Sequence, residues 1–123
     1  MSYARAARKY KTVDIESAPK THVLDRLYAR CLGDIANASA AIESGDIGER
    51  ASAIDHAFRI VVELRAALDE KAAPELTANL IALYSYVLDN LSEANNNSAA
   101  EPLERAAEVV GHLRESFRDA AGI

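Results

Sequence analysis

The sequence is short of the residues that staple or turn a small fold. Cys31 is the only cysteine among 123 residues, so no intrachain disulfide can form. Tryptophan is absent and Tyr (5) and Phe (2) are few, so a core has to be built from aliphatic side chains. Gly (5) and Pro (3) are scarce, which removes the turn density that many short strands require. No apolar run approaches the ~18 residues of a membrane span. The first residues also lack the apolar stretch of a secretory signal. These absences point to a cytoplasmic protein with no membrane insertion.

What is present favours helix. Half of the residues are apolar, and alanine, leucine and glutamate abound. Such side chains lose little rotamer freedom in a helix. The length suits one domain with a single continuous core. The net charge of −5 is unevenly spread. Arg5, Arg8, Lys9 and Lys11 stand among the first eleven residues with no acid beside them. The remaining ten cations face nineteen acids, a net −9. An acidic body argues against nucleic acid as a partner, because phosphate neutralisation needs a basic patch.

Residues 1–16 read as a polar, basic arm carrying Tyr3, Tyr10, Val13 and Ile15, with four amphipathic helices over 17–120. Ser17-Ala18-Pro19 opens the first helix, and Leu24, Leu27, Tyr28, Cys31, Ile35, Ala38 and Ile42 recur at spacings of three and four. Ser44-Gly45 closes it, and Asp46 with Glu49 reads as a capping box for the second. That helix is expected to run to about Lys71 with Ile54, Ala57, Phe58, Val61, Leu64 and Leu68 inward. Pro74 suits the first turn of a third helix, whose stripe is Leu76, Leu80, Leu83, Tyr84, Val87 and Leu91. Asn95-Asn96-Asn97-Ser98 is expected to be a turn, since these side chains compete for backbone bonds. The fourth helix follows Pro102, capped by Ser98 or Ala100, with Leu103, Ala106, Val110, Leu113 and Phe117 inward. Short links between such helices predict an all-α, antiparallel up-down-up-down four-helix bundle.

The chain offers little for catalysis. His22, His56 and His112 fall on different helices with no His or Cys at ligand spacing, and Glu108 and His112, four apart, stand alone, so no metal or other cofactor is expected. Cys31 sits on a core face and reads as a small hydrophobe. One alternative is a histidine phosphotransfer bundle, in which His56-Ala57-Phe58-Arg59 places a basic residue three positions after a histidine. The Lys-Gly pair usual in such proteins is missing, and Ile60 occupies the position of the small residue. The reading is of a binding protein, not an enzyme.

Several apolar residues lie off the core stripes. Ile81 and Leu88 sit about 90° from the stripe centre of the third helix, and Ile60 and Val62 flank that of the second. Wide packing faces account for some of them. The rest predict a groove that takes an amphipathic helix or an extended segment.

Read in order, these residues resemble the flagellin-specific export chaperones of the flagellar secretion system, the FliS family. The likeness runs through Tyr10, Ser17-Ala18-Pro19 and Leu24-x-x-Leu27-Tyr28, then Ala38-x-x-x-Ile42 with Gly45-Asp46. It continues in Ile54-x-x-Ala57-x-x-Ile60-x-x-Glu63-Leu64 and Leu68-Asp69. Its most specific part is Asn79-Leu80-x-x-Leu83-Tyr84-x-Tyr86 followed by Leu91-x-x-Ala94-Asn95. Two positions depart from the family pattern: Ala72-Ala73-Pro74 replaces a common Gly pair, and Phe117 replaces a terminal Trp. The resemblance implies a bundle that buries the C-terminal segment of flagellin, prevents early polymerisation and delivers the subunit to the export gate. Other flagellar regulators are further partners it admits. On this reading Ile60, Val62, Ile81, Tyr84 and Leu88 supply apolar contacts, while Tyr10 and Val13 gate or join the site. Asn79 and Asn95 orient backbone of the partner or, on the alternative reading, cap or cross-link helices. Tyr28 is assigned to partner contact as well, and Tyr28 and Tyr84 carry a second reading, as buried rings with bonded hydroxyls.

Overall fold

The Gly45-Asp46 junction is a helix stop and a helix start made from two residues. In this computed structural model, which describes residues 18–123, α1 spans Ala18–Ser44 and α2 spans Ile47–Ala66. Gly45 takes the left-handed conformation (φ +74) that a side chain would resist. Its N–H reaches Ile42 O at 3.3 Å, and the Asp46 N–H reaches Ala41 O at 2.9 Å. This is the Schellman pattern that satisfies the last carbonyls of α1. The Asp46 carboxylate then accepts from Glu49 N at 3.0 Å and caps α2. Only half of the expected capping box forms, because the Asp46 N–H that Glu49 was to take is engaged by Ala41.

α3 spans Pro74–Asn97 and α4 spans Glu101–Ala121. Pro74 and Pro102 both fall in first turns, where a missing N–H is harmless. Ala100 is the N-cap of α4. Two boundaries differ from expectation. α2 ends at Ala66, well short of Lys71. There Asp69 organises the link instead: its carboxylate accepts from Lys71 N at 3.0 Å and its carbonyl from the Thr77 hydroxyl at 3.2 Å. Asn95, Asn96 and Asn97 stay helical, and the chain turns at Ser98, a left-handed non-glycine residue (φ 50).

α1 packs on α2, α2 on α3, α3 on α4 and α4 back on α1, which is the four-helix bundle expected. The core is aliphatic. Cys31, Ala38, Leu64, Leu80, Val87, Leu91, Leu103 and Val110 are all buried, with Tyr28, Tyr84 and Phe117 as its large side chains. The Tyr28 and Phe117 rings lie 6.0 Å apart, centroid to centroid, in a tilted arrangement. On the α1/α4 side, the largely buried Asp25 receives Arg114 Nε at 3.1 Å and Arg118 Nη1 at 2.6 Å. The expected arm over 1–16 lies outside the described residues. Among the described residues no helix is long and apolar enough to cross a membrane.

Candidate partner-binding seam between α2 and α3

Four of the residues assigned to partner contact are core residues of this fold. Tyr28 and Tyr84 are buried, and their hydroxyls meet at 2.8 Å. Ile60 (5% exposed) and Leu88 (6%) are buried too, which corrects their placement off the core faces. The reason is geometric. Each helix of a square bundle has two neighbours, so side chains on both flanks of its central stripe still point into protein. An offset of about 90° marks a flank, not an exposed face.

Val62 and Ile81 do share a surface. Both are half-buried, and together with Arg65, Ala66, Leu68 and Glu70 they line an open hollow of ≈ 370 Å³. Ile81 also lines a second hollow, of ≈ 440 Å³, with Glu70, Lys71, Pro74, Thr77 and Ala78. It therefore stands between two depressions. A third hollow, ≈ 210 Å³, lies further along the same two helices and is lined by Ile54, Asp55, Phe58, Ser92, Asn95 and Asn96. Phe58, Val62 and Arg65 follow one another at spacings of four and three on α2, so one flank of that helix serves the whole seam. Arg65 spans it, donating to Ser85 Oγ at 3.3 Å.

Asn95 belongs to this seam and Asn79 does not. Asn95 Oδ1 accepts from Arg50 Nε at 3.3 Å, and Arg50 Nη1 also donates to Ser98 Oγ. Asn79 is exposed, two residues before Ile81 and so about 200° around the helix, on the side of exposed Tyr86. Tyr10 and Val13 lie outside the described residues. Sequence reasoning missed Arg50, Arg65, Glu70 and Thr77, which no apolar period marks. Phe58 and Leu68, expected inward, are half-buried and packed against the core, as are Leu27, Ile42, Leu76 and Leu83.

The titratable groups have structural roles. Burial, and secondarily the charge of Asp34, push the Cys31 thiol up to about 12. Its sulfur lies 4.0 Å from Ala57 O. His56 Nδ1 bonds the Asp34 carboxylate, tying α2 to α1. His22 and His112 are exposed. Among the described residues no cluster of His, Cys, Asp and Glu is placed to hold a metal ion.

The fold and its seam define a class: an antiparallel helical bundle with an open, partly apolar groove between two adjacent helices. The family model described as "Flagellar protein FliS" matches residues 3–123, and the chain belongs to that family. Among curated relatives, the flagellar secretion chaperone FliS of Salmonella typhimurium is 25% identical, over 96% of this chain and 91% of that protein. The flagellar secretion chaperone FliSB of Pseudomonas aeruginosa is 31% identical, over 92% and 93%. The FliS of Bacillus subtilis is 32% identical, over 90% and 79%. The phosphotransfer reading of His56 gains nothing from these likenesses, since the relatives are named as chaperones.

Proposed function

We propose that this chain is a cytoplasmic export chaperone that holds the C-terminal segment of flagellin along the α2/α3 seam. The observation that carries the reading is family membership over nearly the whole chain, joined to the paired hollows on either side of Ile81. A flagellin end that polymerises through amphipathic helices has to be kept from its own kind before export. A groove of partly apolar surface does that by burying the same faces. Val62 and Ile81 supply apolar contact, and Asn95 supplies polar contact to main chain. Tyr10 and Val13 of the arm gate or join the site, and Asn79 contacts the partner beyond the seam. Handover at the flagellar export gate then releases the segment, with no nucleotide or metal involved. Other flagellar regulators that present a similar helix compete for the same groove.

The test is calorimetric titration of the full chain with a peptide covering the C-terminal segment of flagellin. One-to-one binding is expected, lost in Ile81→Asp while the helical circular dichroism is kept. Failure of the peptide to bind, or equal binding by Ile81→Asp and Val62→Asp, would overturn the assignment.

A further inference from the structure

We propose that Arg50 is a positioning residue for partner binding: it turns the amide donors of Asn95 into the hollow beside Phe58, where they take a main-chain carbonyl of the bound segment. The inference rests on the α2/α3 seam being the binding surface.

Arginine presents only donors, so the Asn95 atom 3.3 Å from Arg50 Nε has to be the carbonyl oxygen. The side-chain amide is planar. Fixing Oδ1 toward Arg50 therefore fixes Nδ2 on the other side. Arg50 is itself held at a second point, where Nη1 donates to the hydroxyl of Ser98 at the left-handed end of α3. A guanidinium gripping two acceptors through one rigid fork leaves little freedom to either. Asn95 sits half-buried with its Oδ1 directed to Arg50, which favours one orientation of the amide.

The surroundings say what that amide faces. The hollow sets the polar side chains of Asp55, Ser92, Asn95 and Asn96 beside the apolar Ile54 and Phe58, so a segment laid there meets hydrogen-bonding groups next to apolar surface. The one acid lining it, Asp55, is already paired through Oδ2 with Arg59 Nε at 3.1 Å on its own helix. Asn95 Nδ2 thus offers donors where an acceptor is wanted. The acceptor that any polypeptide segment brings, whatever its sequence, is a peptide carbonyl. A contact of this kind holds backbone without reading side chains.

Four variants of the full chain test this, titrated with the flagellin C-terminal peptide and melted in parallel. Arg50→Ala and Asn95→Ala are each expected to weaken binding about fivefold, as for one hydrogen bond. The double variant should bind no worse than Asn95→Ala, because both changes remove one contact. Asn95→Asp is the discriminating variant: its carboxylate still accepts from Arg50, so the melting temperature holds or rises, yet its donors are gone and binding falls. If Asn95→Asp binds like the parent, or the two alanine effects multiply, Arg50 and Asn95 serve the fold and not the partner. Ile81→Asp runs alongside. Its loss of binding with a silent Arg50→Ala overturns this inference alone, whereas undiminished binding by Ile81→Asp overturns the seam itself.

Discussion

The hydroxyls of Tyr28 and Tyr84 meet at 2.8 Å inside the bundle, joining α1 to α3, two helices that sit across the diagonal and do not pack side by side. Both rings are buried, so each hydroxyl has exchanged water for protein. Tyr28→Phe and Tyr84→Phe should each destabilise the fold by about 1 kcal/mol, the net worth of an ordinary hydrogen bond. The double variant should lose less than the sum, since the two hydroxyls share one hydrogen bond and the second substitution removes a group the first has already left unpaired across it. Urea denaturation of the three variants measures the coupling. Strict additivity would mean that the two hydroxyls do not stabilise one another.

Ile81 and Leu88 are seven residues apart on one helix and should respond oppositely to charge. Leu88→Asp buries a carboxylate in the core and forfeits roughly 1.5–3 kcal/mol of apolar burial besides. The expected result is loss of the cooperative melt. Ile81→Asp places its charge beside open hollows, within reach of water, and should change stability by less than about 1 kcal/mol. Circular dichroism melts separate the two, and a molten Ile81→Asp would make that residue part of the core.

Asp25 sets an acid limit on stability. Burial alone raises its carboxyl, but hydrogen bonds and charge from Arg114 and Arg118 outweigh burial and hold it below the ordinary carboxylate value. A carboxyl that is lower in the folded state stabilises the fold above its unfolded value, near 3.9. That contribution is lost as pH falls through the folded value. The urea midpoint should therefore drop below about pH 4, and Asp25→Asn should show a lower midpoint at pH 7 with a shallower acid decline. Parallel pH curves for the two proteins would leave Asp25 without this role.

Cys31 should be inert while the bundle is intact. Thiolate is the reactive form, and a thiol pushed up to about 12 and buried offers almost none of it at pH 8. Iodoacetamide is expected to label the folded chain at least roughly a hundredfold more slowly than the chain in denaturant. Equal rates in both conditions would place the sulfur at the surface.

How far the sequence could be read follows from what periodicity encodes. The stripe Leu103, Ala106, Val110, Leu113 and Phe117 is buried throughout, because a 3.6-residue period reports which way a side chain points. It does not report how far a neighbouring helix reaches around, so Leu88 looked exposed and is not. Gly45 and Asp46 were legible as a cap pair, since local backbone bonds decide them. The early end of α2 was hidden by Leu68, which continues the apolar spacing while Asp69 folds the chain back onto Thr77. Ile81 was legible as an off-stripe residue of the seam, whereas Arg50 was not, because its contacts with Asn95 and Ser98 exist only in three dimensions.

The links of the bundle are unequal in length, two short ones at one end and a longer one at the other. At one end α1 and α2 are joined by Gly45-Asp46 alone, α3 and α4 by Ser98 to Ala100, and Arg50 bolts the two hairpins together. At the other end the longer link over 67–73 stands beside the start of α1 and the close of α4. Short links restrict local opening more than a long one does. Amide hydrogens should exchange faster toward the 67–73 link than toward Asp46 and Ser98. Ile81 lies toward the end with the longer link, so faster exchange there would mean that the proposed seam borders the part of α3 that opens first.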